Sequence, residues 1–374
     1  MKINNLFIKI KIVKFLRFSN IYGIKRAIVK SVGNLNISFP IWFLNSLKLP
    51  LFKKKVNIGL IGCGHFAFTS IAYYLSQKNS INLIWCYDTN IKASKRLAKS
   101  YNIKSIEENI SNDFRKVDIV YIVSNHSTHA KYAVDFMKKG CDVYIEKPIA
   151  TSWDQLTQII NTKKQTNKNI YLGYNRPFSP GILKIKKYLT KKTEPISLSC
   201  FITGHFLDAD HWYRNTDEGT RICGNLGHWI DLSVHFLGLL HKKFSKIELS
   251  ITYSDKKLVD ENIIVNMVTE NKDLISIIFS ARNEPFEGVN ETINFQCGDL
   301  IAKIDDHRQT HIWVGHKKYN FKHRPKDVGH KNAILQPFNN KFNRDWDELI
   351  ISSKLMLTIS DMVKDRELYR VFKI

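Results

Sequence analysis

Apolar residues along the chain fall into two textures. From residue 56 to about 174, short, mostly apolar runs at 56–61, 83–88, 117–124, 141–145 and 170–174 alternate with stretches of helical spacing at 67–77, 91–100, 125–140 and 153–164. Strands that show no polar alternation are buried on both faces, so this half predicts a doubly wound parallel sheet covered by helices. Beyond residue 174 the texture changes. Strand-like runs at 196–204, 246–253, 262–269, 274–281, 292–297, 300–304 and 311–315 follow one another with few helical patterns between them. They predict a second, α+β domain built on a large, mostly antiparallel open sheet. The tail, 345–372, reads as helical again. The expected organisation is an extension at 1–55, the doubly wound domain at 56–173, the α+β domain at 174–340 and C-terminal helices at 341–374.

Charge changes this picture at one end only. The formal net charge is +23, and residues 1–55 hold 12 Lys or Arg and no acid. The remainder then carries 45 basic against 34 acidic residues, or +11. In the extension, apolar residues recur among the lysines, and a second apolar cluster, Phe39-Pro40-Ile41-Trp42-Phe43-Leu44, precedes Lys53-Lys54-Lys55. Lys9, Lys11, Lys14 and Arg17 interrupt every candidate signal or spanning stretch, so a cytoplasmic protein is expected. A basic amphipathic helix can lie on an anionic membrane, and it can equally dock on the protein's own surface. Nucleic-acid binding is not expected, because no recognised motif accompanies the charge. The six cysteines (63, 86, 141, 200, 223, 297) are scattered without a C-x-x-C, which points to reduced buried thiols. Asp208, Asp210 and His211 have isolated spacing that does not make a metal site.

The chemistry starts at the first strand. Val56-Asn57-Ile58-Gly59-Leu60-Ile61 runs into Gly62-Cys63-Gly64-His65-Phe66-Ala67, a G-x-G-x-x-A turn placed between a strand and a helix. Gly62 permits the tight turn, Gly64 leaves room for a pyrophosphate to reach backbone N–H groups, and Ala67 lets helix and strand pack closely. Asp88, at the tip of the second strand, would accept hydrogen bonds from ribose hydroxyls and repel a 2′-phosphate, which favours NAD over NADP. The cofactor-binding set read from the sequence is Gly62, Gly64, His65, Phe66, Ala67, Asp88, Ser124, Asn125, His126, His129, Glu146 and Lys147.

These blocks, in this order, resemble the Gfo/Idh/MocA oxidoreductases over about residues 56–340. Glu146-Lys147-Pro148 is similar to the family's hallmark triplet, and Gly173-Tyr174-Asn175-Arg176 to the block after the crossover helix. Ser124-Asn125-His126 stands where the family usually has Thr-Pro-Asn. The resemblance implies hydride transfer between a nicotinamide cofactor and a sugar, polyol or nucleotide sugar. It implies Lys147 as the group that polarises the reacting oxygen and His228 as the proton shuttle. His235, four residues from Asp231, is the competing histidine. The family often has Asp four residues before its catalytic His, and position 224 here is Gly, beside Asn225. Tyr174, Arg176, His211, Trp212, Tyr213, Asn225, Lys147 and His228 form the expected substrate-contacting set. The 221–232 block resembles that of members from surface-polysaccharide pathways, and a homo-oligomer is expected. The competing function is a non-catalytic dinucleotide-binding protein docked to a membrane or partner through its basic extension.

Overall fold

The computed structural model describes residues 2–42, 55–110, 115–189, 192–208, 210–240, 244–255, 257–283 and 285–374. Phe43, Leu44, Lys53 and Lys54 of the N-terminal expectation lie outside them. Two helices open the chain, α1 (Lys2–Tyr22) and α2 (Ile24–Asn34). By contact, α1 belongs to one compact unit with residues 174–329 and 344–374, and α2 to the other with residues up to 173 and 330–343.

The dinucleotide unit is a six-stranded parallel sheet. Its strands are β1 (Val56–Ile61), β2 (Ile81–Tyr87), β3 (Ser105–Ile106), β4 (Ile119–Ile122), β5 (Asp142–Ile145) and β6 (Ile170–Leu172), ordered β3-β2-β1-β4-β5-β6. That order reverses at β1 and β4, and such a switch point places ligands beyond the strands' carboxyl ends. Helices α3 (Ala72–Leu75, entered through a π turn over Ala67–Ile71), α4 (Ile91–Tyr101), α5 (His129–Lys138) and α6 (Trp153–Thr166) supply the crossovers. Two of the crossover helices begin and end on local devices: Asn90 and Ser152 cap α4 and α6 through their side chains, and Asn102 and Asn167 close them in the left-handed region. The core joins Ile58, Leu60, Phe68, Ile71 and Tyr121 to Val29, Val32 and Ile41 from the extension. The apolar face of α2 is therefore part of this unit's interior.

The second unit follows α7 (Pro180–Leu189) and is a nine-stranded sheet. Its strands are β7 (Ile196–Thr203), β8 (Lys246–Tyr253), β9 (Asn262–Thr269), β10 (Leu274–Ser280), β11 (Asn290–Cys297), β12 (Leu300–Asp305), β13 (Gln309–Val314), β14 (Lys317–Lys322) and β15 (Tyr369–Lys373). All neighbouring pairs are antiparallel except β10 with β7. Strict alternation of burial along β7 and β12 shows one face of the sheet packed and the other open. Helix α8 (Gly227–Leu239) is buried along ten of its thirteen residues and packs against α10 (Trp346–Asp365). Between them in sequence, α9 (His330–Ile334) returns to the dinucleotide unit, where Tyr121 Oη donates to Ile334 O at 2.7 Å.

Two differences from the sequence reading concern ends. The tail is not helical throughout: Arg366 turns into the left-handed region at φ 58°, α10 stops, and 369–373 pairs with β8 as an edge strand. The basic run Lys317–Lys322, in which only Tyr319 and Phe321 are half-buried, is the opposite edge strand.

Candidate active site

Four strand ends gather the candidate residues of the dinucleotide unit, because Gly62, Asp88, Val123 and Glu146 are each the first residue past β1, β2, β4 and β5. Gly62 sits at φ 87°, and a Cβ there would lie 2.4 Å from Val123 O, so the position admits only glycine. Its N–H donates to Tyr87 O at 2.8 Å, closing the turn onto β2. Gly64 is different: a Cβ there would meet nothing within 4 Å, which leaves the backbone open to solvent. Ala67 is fully buried against the sheet. Asp88 accepts from Cys63 N at 2.6 Å through one oxygen and from Asn90 N at 2.8 Å through the other. The acid and the glycine turn are thereby locked together. An open backbone at Gly64, a helix start and a carboxylate at the second strand tip fit a dinucleotide.

His65 and Phe66 follow the turn. His65 is exposed on one side, and its imidazole pKa is lowered, first by desolvation and then by the charges of Lys30, Arg96 and Arg26. The end of α2 lies against it: a Cβ on Gly33 would come 2.6 Å from the Thr69 methyl and 3.3 Å from the His65 ring. Phe66 meets His330 edge-on at 5.5 Å.

On the β4 side, Ser124 Oγ and Thr128 Oγ1 are hydrogen-bonded at 2.7 Å, and Asn125 O accepts from Thr128 Oγ1 at 2.8 Å. His126 is buried, with its ring 5.8 Å from that of His129. His129, the first residue of α5, has no exposed surface; Nδ1 lies 2.8 Å from Pro148 O and Nε2 3.0 Å from Ser124 O. Glu146 is buried too. It accepts from Tyr144 Oη at 2.9 Å and from Lys147 N at 3.3 Å, and burial pushes its carboxyl up to about 7 against the pull of Lys147 and Tyr144. Gly173 makes room for it, since a Cβ there would lie 2.6 Å from a Glu146 oxygen. Lys147 is only half-buried, at the strand end.

The second unit carries the histidine. His228 is the second residue of α8, half-buried, with the rings of Tyr174 and Trp229 edge-on at 5.8 and 5.9 Å. Tyr174 is itself fixed, its hydroxyl 3.3 Å from Met356 Sδ. Asn225 Oδ1 is buried with no hydrogen-bond partner among the described residues. His211, Trp212 and Tyr213 form one aromatic group, with ring separations of 4.4 to 6.0 Å. The Tyr213 ring occupies the space beside Gly224, where a Cβ would stand 2.6 Å from Cε2.

Arg176 faces the interior. It pairs with Glu291 at 3.1 Å, donates to Asn175 Oδ1 at 2.9 Å and lies 4.8 Å from the Trp229 ring. His235 is bonded to Glu348 Oε1 at 2.8 Å, inside a buried network with Arg344 and Asp231. Residues that the sequence reading did not single out thus hold the named ones: Glu291 bonds Trp229 Nε1 at 2.7 Å beside His228, and Arg221, fully buried, ties the 205–221 segment to Glu261 at 2.7 Å. Their partners lie 40 or more residues away, beyond the reach of any local pattern. Among the described residues no cluster of His, Cys, Asp or Glu can hold a metal ion, and no helix is long and apolar enough to cross a membrane.

Comparison with known proteins adds three findings. Residues 56–174 match the model of an oxidoreductase family with an NAD-binding Rossmann fold, GFO_IDH_MocA. "Oxidoreductase P35" of Formosa agariphila is 24% identical over 203 residues, covering 52% of this chain and 63% of that protein; glucose-6-phosphate 3-dehydrogenase of Bacillus subtilis is 24% identical over 280 residues, covering 70% and 73%. The chain spans about three-fifths of the length of the first curated relatives it matches. The solved structure of GenD2 from gentamicin A biosynthesis, in complex with NAD, superposes with a TM-score of 0.70 at 13% identity, covering 87% of this chain and 98% of that one.

Proposed function

We propose, from the premise that this chain belongs to the Gfo/Idh/MocA oxidoreductases through residues 56–174, that it interconverts a hydroxyl and a carbonyl on a sugar or nucleotide sugar. The observation that carries the reading is the locked pair of glycine turn and Asp88 in the same sheet whose β5 runs out into Glu146 and Lys147. When bound, the nicotinamide supplies or accepts the hydride. Lys147 hydrogen-bonds the reacting oxygen and stabilises its developing negative charge. His228 takes or returns the hydroxyl proton, an acid–base role that an imidazole can fill. Asp88 favours NAD: a 2′-phosphate would meet a carboxylate already fixed by two N–H donors. A role in surface-polysaccharide assembly rests on the 221–232 block alone.

A second copy of the chain is the expected macromolecular partner. Phe201, Leu274 and Ile301 stand 50, 56 and 45% exposed on the open sheet face, which supports self-association there.

Gly224 favours the competing, non-catalytic reading, since Tyr213 fills the place of an acid side chain. The test is fluorescence of reduced and oxidised nicotinamide on the purified protein, followed by turnover across a panel of sugars and nucleotide sugars. Turnover that falls at least 100-fold in Lys147→Ala and His228→Ala, with cofactor affinity kept, establishes the dehydrogenase. Tight binding with no redox change in any member of the panel supports the docked protein instead.

A further inference from the structure

Lys147 is a flexible side chain on a strand-end loop, yet the proposed reaction asks for its amine to be placed to within about 1 Å, because misplacement on that scale can cost about 100-fold in rate. Something must hold the loop. Glu146 fixes the residue before the lysine through Tyr144. On the far side the next carbonyl, that of Pro148, is met by His129 Nδ1 at 2.8 Å, and the same ring reaches back to Ser124 O, at the end of β4, at 3.0 Å. His129 has no exposed surface, and it starts α5, which packs on β5 and α6. We infer that His129 is the positioning residue of Lys147, tying the Lys147–Pro148 turn to the start of α5 through its Nδ1–H. This rests on the reading of Lys147 as the catalytic lysine and gives His129 a place outside the cofactor-contacting set.

The two contacts are not equivalent. Both acceptors are carbonyl oxygens, and a neutral imidazole carries one hydrogen. Burial, opposed by the hydrogen bonds to Pro148 O and Ser124 O and reinforced by the Lys147 charge, lowers the imidazole pKa to about 4, so one hydrogen is what the ring has at neutral pH. Of the groups facing it, Glu146 meets the ring through its backbone and Lys147 through a positive charge that disfavours a second proton, and the ring of His126 lies 5.8 Å away. The shorter contact takes the hydrogen, which gives the Nδ1–H tautomer and makes Pro148 O the anchored carbonyl.

That asymmetry defines the test. Asparagine places an amide nitrogen near the Nδ1 position, glutamine near Nε2, and leucine provides neither donor. In the full-length protein, His129→Leu and His129→Gln are expected to raise the hydrogen-exchange rate of the Lys147, Ile149 and Ala150 amides at least tenfold. His129→Asn is expected to stay within about threefold of the parent. NAD⁺ affinity, by fluorescence titration, is expected to stay within about twofold in all three. With any substrate found in the panel, kcat should fall 10- to 100-fold in the leucine variant and recover in the asparagine variant, with KM little changed. The double variant His129→Leu/Lys147→Ala should be no slower than Lys147→Ala, because a residue that acts only through the lysine has nothing left to position. A tenfold loss of NAD⁺ affinity in His129→Leu overturns the inference and makes His129 a cofactor ligand. Equal exchange and equal loss in Asn and Leu overturn it in favour of a merely structural histidine. If Lys147→Ala turns over like the parent while exchange follows the expected pattern, the tie stands and the reading of Lys147 fails.

Discussion

At the scale of single residues, Glu146 and Gly224 make the sharpest statements. Glu146 is 7% exposed and titrates near 7, because burial outweighs Lys147 and Tyr144. Its folded-state pKa lies above the usual 4.5, so between about 4.5 and 7 the folded chain keeps a proton that the unfolded chain has lost. Its contribution to stability therefore falls as pH rises through that window and levels off above it. The shift corresponds to about 3 kcal/mol. Glu146→Gln keeps a neutral side chain at every pH, so the unfolding free energy of the variant minus that of the parent should grow by up to that amount between pH 4.5 and pH 8. Urea unfolding at three pH values measures it, and a flat difference would remove the burial cost from Glu146. Gly224 is a steric statement. The Tyr213 ring lies where its Cβ would be, so Gly224→Ala should cost about 1–3 kcal/mol in thermal unfolding through overpacking. Removing the ring as well, in Gly224→Ala/Tyr213→Ala, should cost less than the sum of the two single changes. Additive losses would mean that the ring does not hold the acid's place.

At the scale of elements, α8 shows how a histidine is carried. The helix is apolar almost all round and so is buried, and two polar networks pin it. On one side Trp229 and Arg176 share Glu291; on the other, Asp231 accepts from Arg344 at 2.6 Å and from Ser352 at 3.0 Å, while His235 and Arg344 share Glu348. Asp231 is fully buried, and removing Arg344 strands its charge. Arg344→Met should destabilise by about 3–5 kcal/mol, whereas Arg344→Met with Asp231→Leu and Glu348→Leu should recover most of it, since a buried ion network is often replaceable by apolar packing of like volume. Chemical unfolding of the two variants decides. These pairings also mark what the sequence could tell. Strands β8 and β9 were legible to the residue, because the alternation of burial is a local pattern. The glycine turn and Asp88 were legible because the motif carries its own context of strand, turn and helix. Asp231 and Arg344 are 113 residues apart, and the edge strand β15 buries only Phe372 and is held by its pairing with β8, so neither stands out in a local pattern.

At the scale of the whole chain, the extension that carries half the excess charge also carries structure. Its two helices are counted with different units, and only α2 is amphipathic in the sense that matters: Ala27, Val29 and Val32 are buried, and Arg26 bonds Thr69 O while lying 4.9 Å from the Tyr73 ring. In α1 the exposed Ile10, Ile12, Val13 and Leu16 are interleaved with Lys9, Lys11, Lys14 and Arg17 rather than gathered on one face. A helix that lies in a membrane interface needs that segregation, and α2 has already spent its apolar face on the dinucleotide unit's own core. Deleting residues 1–34 should then act as a core mutation. Three apolar side chains leave the interior, a loss on the order of 5 kcal/mol taken as an upper bound. For a unit of this size that lowers the melting temperature by about 10 °C or more. The same deletion should leave sedimentation with anionic vesicles unchanged in the fraction that remains folded. If the truncated chain melts with the parent and loses vesicle binding that the parent shows, α2 is not part of the core, and the basic segment is a membrane anchor after all.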